Sequence, residues 1–203
     1  ACIPNNKIKI INLGSSCIYP LEAENPIKES SLLTGKLEPT NSAYAIAKIA
    51  GIEIGSSMNK QYGHSVINLM PTNLYGPDDN FSEKDSHVIP GLIYRMYNAK
   101  INGEDKFSIW GSGKPLREFL YVDDLSHAVE HLIDKDISEE LLNIGSGDEV
   151  SIDYLAKLIK QIISYDGDLT YDLKMPDGNP RKLIDSSKIR SLGWKPKTNL
   201  EKG

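Results

Sequence analysis

Apolar and polar positions follow two registers along this chain. The run Lys7-Ile-Lys-Ile-Ile-Asn-Leu13 is β-rich and mostly apolar, the pattern of a strand buried in a parallel sheet. From Ser42 to Tyr62 apolar residues surround much of the first half, which predicts a helix covered on more than one side. Gly51 and Gly55 share a face of that helix and allow close backbone approach, and Gly63 suits its C′ position. His64 to Met70 reads as the next strand, opening into a polar turn at Pro71-Thr-Asn-Leu74. Residues 20 to 41, with prolines, glutamates and serines in weak periodicity, predict a long loop beside the site.

Past residue 76 the elements shorten. A polar loop at Asp78–Ser86 precedes a helix from His87 to Ala99, with Ser86 as its N-cap. Phe107–Trp110 and Glu118–Val122 predict strands flanking a Gly-rich turn. Helices are expected at Asp124–Asp134, Ile152–Tyr165 and Ser186–Leu192, and strands at Leu141–Ile144 and Leu169–Asp172. Strand–helix alternation followed by mixed elements gives an α/β fold. Residues 1–76 read as the second half of a Rossmann-like parallel-sheet domain. Residues 77–203 read as mainly a smaller α+β substrate-binding domain, with returns to the sheet.

Composition narrows the function classes. The 203 residues suffice for one large core or two small ones, and 39% apolar with 25% charged content is ordinary for a globular protein. A net charge of −5 argues against nucleic acid as a partner. No apolar run is long enough for a membrane span, and Ala1–Asn6 holds no secretory apolar region. Two cysteines, Cys2 and Cys17, make a disulfide framework unexpected and point to the cytoplasm. Four scattered histidines suggest no metal site. The missing initiator Met and the lack of a Gly-x-x-Gly-x-x-Gly turn read as a fragment.

The candidate chemistry gathers at Gly14-Ser-Ser-Cys-Ile-Tyr-Pro20 and Asn41-Ser-Ala-Tyr-Ala-Ile-Ala-Lys48. Tyr44 and Lys48 stand four apart, one above the other on a helix. An ammonium beside a phenol favours the phenolate, which makes a proton donor and acceptor usable near neutral pH. Ser15, at a strand end, is placed to hold a substrate carbonyl; alone, it would be an ordinary turn hydroxyl. Alone, too, such a Tyr–Lys pair is common surface chemistry, and Cys17 is a small apolar side chain.

The wider text changes that reading. Glu38-Pro-Thr-Asn41, Tyr44-Ala-Ile-Ala-Lys-Ile-Ala-Gly51, Met70-Pro-Thr-Asn-Leu-Tyr-Gly-Pro77, Ser86-His-Val-Ile-Pro90, Trp110-Gly-Ser-Gly113 and Arg117-Glu-Phe-Leu120 follow the Gly14–Pro20 block in order. From about Ile8 onward the chain resembles the GDP-L-fucose synthases, a family of extended short-chain dehydrogenase/reductases. The resemblance implies NADPH-dependent epimerisation at C3 and C5 and reduction at C4 of GDP-4-keto-6-deoxy-D-mannose. It implies that Ser15 orients the 4-keto group, that Tyr44 protonates it, and that Lys48 tunes the tyrosine and holds the nicotinamide ribose. It assigns Cys17 as base and His87 as acid for epimerisation. Ser15, Ser16, Tyr44, Lys48, Pro71, Thr72, Asn73, Leu74 and His87 match NADP-lining positions, and Arg95, Trp110, Arg117 and Asp177 match substrate-contacting ones. A homodimer built through helices like Ser42–Tyr62 is implied as well.

Other readings stay open at this point: the same or reductase-only chemistry on another GDP-4-keto sugar, such as a heptose or dideoxy sugar, or a GDP-sugar-binding fragment without turnover. Two tempting signals are set aside. Gly111-Ser-Gly-Lys114 has Ser108 where a phosphate loop needs its first Gly and Pro115 where it needs Ser/Thr, and Asn143-Ile-Gly-Ser-Gly147 suits a turn after a strand.

Overall fold

A computed structural model describes residues 4, 5 and 8–203; Cys2 and Lys7 lie outside the described residues. Strand β1 (Lys9–Leu13), helix α1 (Ser42–Tyr62) and strand β2 (Ser65–Pro71) form a βαβ unit, β1 and β2 pairing in parallel from Lys9↔Ser65 to Leu13↔Leu69. Val66 to Pro71 are all buried, as a strand covered on both faces requires. The central strand is β2, flanked by β1 and by β6 (Leu141–Ile144) in a parallel three-stranded sheet. The late return of β6 to this sheet draws residues beyond 76 into its core. Leu69, Leu120, Leu132, Leu142, Ile144 and Trp194 form one buried cluster with α3 (Val122–Ile133) and α5 (Ser187–Ser191).

Helix α1 sits close to the sheet because two glycines face it. A Cβ on Gly55 would stand 2.8 Å from Val66 Cγ1, and one on Gly51 3.3 Å from the Asn12 amide. The polar groups beneath are paired: Asn12 Nδ2 donates to Asn68 Oδ1 at 2.9 Å, and Asn68 Nδ2 donates to Glu140 O at 2.9 Å. Gly63 ends the helix in the left-handed region at φ 65°, its N–H reaching the Asn59 and Met58 carbonyls. Only one face is covered, however. Ala45, Ile49, Ile52 and Gly55 are buried, whereas Ile46 and Ile54 are 58% and 62% exposed, which corrects the expectation of a helix covered on more than one side.

The second part builds on β5 (Leu116–Tyr121). It pairs in parallel with β3 (Asn73–Tyr75) and β9 (Arg181–Lys182), and antiparallel with β7 (Glu149–Ser151). Strand β3 corrects the expected turn at residues 71–74: Pro71 ends β2, and the chain re-enters a ladder one residue after Thr72, burying Tyr75. A separate parallel pair, β4 (Lys106–Trp110) with β8 (Asp168–Asp172), packs with α2 (Val88–Ile101) and α4 (Ile152–Ile162) around Ile89, Met96, Phe107, Ile109 and Leu155. Ser86 is not the N-cap of α2. That position belongs to His87, which makes no side-chain capping bond, while Ser86 Oγ donates back to Ser82 O at 2.7 Å.

The long loop at 20–41 carries two 3-10 turns, Glu29–Ser31 and Pro39–Asn41. Ile18, Tyr19 and Ile27 before and within it are buried with Ile49, Met70 and Ile184. Asn143, fully buried on β6, holds it through three groups. Its Oδ1 accepts from Tyr19 Oη at 2.6 Å, its Nδ2 donates to Ile27 O at 2.9 Å, and its N–H donates to Glu29 Oε1 at 3.1 Å. Burial, reinforced by the Glu29 charge, raises the Tyr19 phenol far above its ordinary value, so Tyr19 stays a neutral donor to Asn143.

Candidate active site

The carboxyl end of β1 carries the first group of residues. Gly14 N–H continues the ladder to Leu69 O at 2.8 Å, and Ser16–Ile18 then turns as a short 3-10 segment. Ser15 caps that turn, its Oγ accepting from Cys17 N–H at 3.2 Å, which leaves the serine O–H available to donate. Helix α1 brings Tyr44 and Lys48 to the same place. Lys48 Nζ donates to Leu13 O at 2.9 Å and lies 5.6 Å from the centre of the Tyr44 ring. Tyr44 is 47% exposed. The local reason is the βαβ geometry: the first turns of α1 lie over the carboxyl end of the strand before it.

The β2–β3 junction closes this region from below. Thr72 Oγ1 and Asn73 Nδ2 both donate to Glu118 O, at 3.2 and 2.9 Å, so these two side chains are spent on the β5 backbone. Ser16 is likewise buried. Glu118 itself is fully buried between β5 and two other segments, accepting from Gly147 N–H at 2.7 Å and Ile184 N–H at 3.2 Å. Burial raises its carboxyl above the usual range despite those bonds. The turn that follows β6 at Ile144 is thus fastened to Glu118 through the Gly147 N–H, as the sequence suggested.

Two cavities flank Arg117, which lines both. One, of about 220 Å³, brings together His87, Arg95, Trp110, Arg117 and Asp177. The Arg95 guanidinium lies 4.2 Å from the centre of the Trp110 ring and 5.1 Å from that of Phe107, a stacked cation held in a half-buried wall. Burial lowers the pKa of both Arg95 and Arg117 from the ordinary arginine value without threatening either charge. Asp177, the site residue least anchored by local pattern, is held by Ser112: its Oδ1 accepts from the Ser112 N–H at 2.6 Å and its Oδ2 from the hydroxyl at 2.8 Å. Those bonds keep its carboxyl below the usual range, and the Gly111 turn at φ 76° leaves room for it. The Gly111–Lys114 segment therefore serves the site as a carboxylate clamp rather than as a phosphate loop.

The other cavity, of about 210 Å³, is lined by Cys17, Glu38, Asn41, Asn73, Arg117 and Lys182 among others. Cys17 is partly buried, and Lys182 Nζ stands 3.4 Å from its sulfur. Arg117 is fixed between the two spaces by donating to Leu116 O at 2.8 Å and Asn179 O at 2.6 Å. His87 and Cys17 therefore belong to different cavities. Lys182 and Asn179 escaped the sequence reading, because nothing within their own turn-rich stretch marks them; only the parallel register Arg117↔Lys182 delivers them. Among the described residues no cluster of three or more metal-ligating side chains occurs, and no helix is long and apolar enough to cross a membrane.

A family profile described as "NAD dependent epimerase/dehydratase family" matches residues 1–145. GDP-L-fucose synthase 1 of Arabidopsis thaliana is 54% identical over 195 residues, covering 96% of this chain and 60% of the relative. GDP-L-fucose synthase of Escherichia coli K12 is 45% identical over 210 residues, covering 98% of this chain and 65% of the relative. Among solved structures, a GDP-L-fucose synthetase from Naegleria fowleri bound to NADP superposes with a TM-score of 0.90 at 33% identity, covering 98% of this chain and 64% of that one. The chain thus spans less than two thirds of the length of these relatives.

Proposed function

Because the chain belongs to the NAD dependent epimerase/dehydratase family, we propose that it carries the reactive and sugar-binding part of an NADPH-dependent GDP-4-keto-6-deoxy-D-mannose 3,5-epimerase/4-reductase. One observation supports the reading: Lys48 is anchored on Leu13 O at the carboxyl end of β1, the strand that Ser15 follows, with its ammonium 5.6 Å from the centre of the Tyr44 ring. The similarity to the Arabidopsis and Escherichia coli GDP-L-fucose synthases supports the substrate class.

The residues fit the cofactor chemically. Lys48 and the half-exposed Tyr44 suit a ribose hydroxyl and a carbonyl being reduced, whereas the side chains of Thr72 and Asn73 are committed to Glu118 O and the Thr72 N–H to Ile144 O. NADPH supplies the hydride when bound. Ser15 donates its free O–H to the 4-keto oxygen, and Tyr44 delivers the proton that completes the alcohol while Lys48 stabilises the phenolate left behind. The same hydrogen bonds to the keto oxygen stabilise the enolate formed when Cys17 takes a proton from C3 or C5; His87 serves as the acid. Arg95 and Arg117 suit a diphosphate, and Trp110 a flat apolar surface.

The enzyme is further proposed to be a cytoplasmic homodimer joined through the uncovered face of α1, where Ile46, Ile54 and Tyr62 are exposed. The test of the function is turnover of the intact protein in D2O with GDP-4-keto-6-deoxy-D-mannose and NADPH, read by product NMR. Oxidised coenzyme with deuterium at C3 and C5 is expected. Oxidation without deuterium would leave a plain 4-reductase, and no oxidation would exclude this keto sugar.

A further inference from the structure

We propose that Lys182 is the positioning charge for Cys17, the group that stabilises negative charge on its sulfur. The inference rests on the base role proposed above and adds to it a residue 165 positions away in sequence.

The ammonium is hydrogen-bonded to the sulfur. Lys182 Nζ lies 3.4 Å from Cys17 Sγ, and among the described residues it makes no ion pair. Glu38 lines the same cavity and feels the Lys182 charge, but its hydrogen bonds go to Thr40: one oxygen accepts from Thr40 N–H at 3.1 Å and the other from Thr40 Oγ1 at 2.6 Å. The other cation of the cavity, Arg117, spends a guanidinium nitrogen on two backbone carbonyls. His87 opens into the neighbouring cavity and so stands beyond Arg117.

Lys182 is also fastened in place on both sides. Its backbone pairs with Arg117 in the β5–β9 ladder, and Leu116 N–H donates to Pro180 O at 2.9 Å just before it. Immediately after it, Leu183 N–H donates to Asn25 Oδ1 at 2.7 Å, and Leu183 O accepts from Ile27 N–H at 2.8 Å. The segment bearing Lys182 is thereby tied to the loop that follows Cys17. An ammonium held at such a distance favours the anionic, nucleophilic and basic form of a thiol.

The proton step balances within the cavity. The C–H bond beside the ketone breaks, an S–H bond forms, and the electron pair passes to the keto oxygen. Reprotonation of the carbon by a separate acid and loss of the sulfur proton to solvent restore the starting state. Lys182 changes no bond; its charge stabilises negative charge on the sulfur.

The experiment is the rate of Cys17 alkylation by iodoacetamide at neutral pH, read by peptide mapping so that Cys2 is counted separately. Lys182→Met is expected to slow alkylation of Cys17 roughly tenfold, and Lys182→Arg to stay within about twofold of the parent. Unfolding would expose the thiol and speed the reaction, so a fall reports the lost charge. A rate in Lys182→Met equal to or above the parent overturns the inference. A matching loss of deuterium entry at C3 and C5 in the intact protein, with hydride transfer less affected, is expected alongside. A slowed alkylation in a protein that never exchanges deuterium would keep the pair and sink the proposed reaction instead.

Discussion

The two cavities beside Arg117 are nearly equal in size and opposite in character. That lined by α2 and β4 suits the proposed recognition of a charged ligand. A guanidinium stacked on an indole, a second guanidinium and a clamped carboxylate present fixed charges on broad apolar surfaces. That lined by the Cys17 turn and β9 holds the Cys17 sulfur, an ammonium and a carboxylate around a small polar space. Of the two residues assigned by resemblance to the epimerisation, His87 lines the first cavity and Cys17 the second. Arg117 belongs to both, which suits one extended ligand whose charged middle crosses it. The half-buried Arg117 side chain is the element common to both spaces.

Several substitutions would break or sharpen that division. The largest effect is expected at Tyr44→Phe, which removes the proton donor of the reduction; kcat for NADPH oxidation should fall by about 10²–10⁴, measured spectrophotometrically. Cys17→Ser should abolish deuterium entry at C3 and C5 by a similar factor while leaving GDP affinity within about twofold by calorimetry, since it lies outside the recognition cavity. Arg117→Lys should weaken GDP-sugar binding by roughly tenfold to a hundredfold, because an ammonium cannot reproduce its fork toward two carbonyls and a phosphate. Trp110→Ala should cost about 0.5–2 kcal/mol of binding with little change in deuterium entry.

Much of this organisation is written locally. The βαβ unit follows from an apolar strand, a helix with glycines on one face and a second apolar strand, and the Ser15, Tyr44 and Lys48 constellation lies within a few dozen residues. The recognition residues were also named by block resemblance, and the structure brings all four into one cavity with His87. What stayed hidden depends on distant pairing. Lys182 has no local signature because a two-residue strand, β9, needs the β5 edge to exist. Strand β3 was masked by its Pro-Thr-Asn start, which reads as a turn until Tyr75 finds a buried place. The exposure of Ile46 and Ile54 likewise reflects what covers α1, a property that an apolar pattern alone does not contain.

The smallest expected effect lies away from both cavities and serves as a control. Glu140 ties β6 to α1 through Ser56 and Asn59, and these bonds hold its carboxyl below the ordinary range. Because the folded value lies below the unfolded one, the ionised group stabilises the fold above the unfolded value, near pH 4.3, and that contribution fades as pH falls through the folded value. Glu140→Gln should therefore flatten the acid limb of a Tm-versus-pH curve, with no change in Cys17 alkylation.

The most direct measurement of the central claim is protection of Cys17 by a ligand that enters from the recognition side. With GDP-mannose saturating, alkylation of Cys17 by iodoacetamide should slow several-fold, because the sugar crosses Arg117 into the cavity of the thiol; GDP alone, which ends at the diphosphate, should slow it little. An alkylation rate unchanged by bound GDP-mannose would contradict the account, since the two cavities would then not share one ligand.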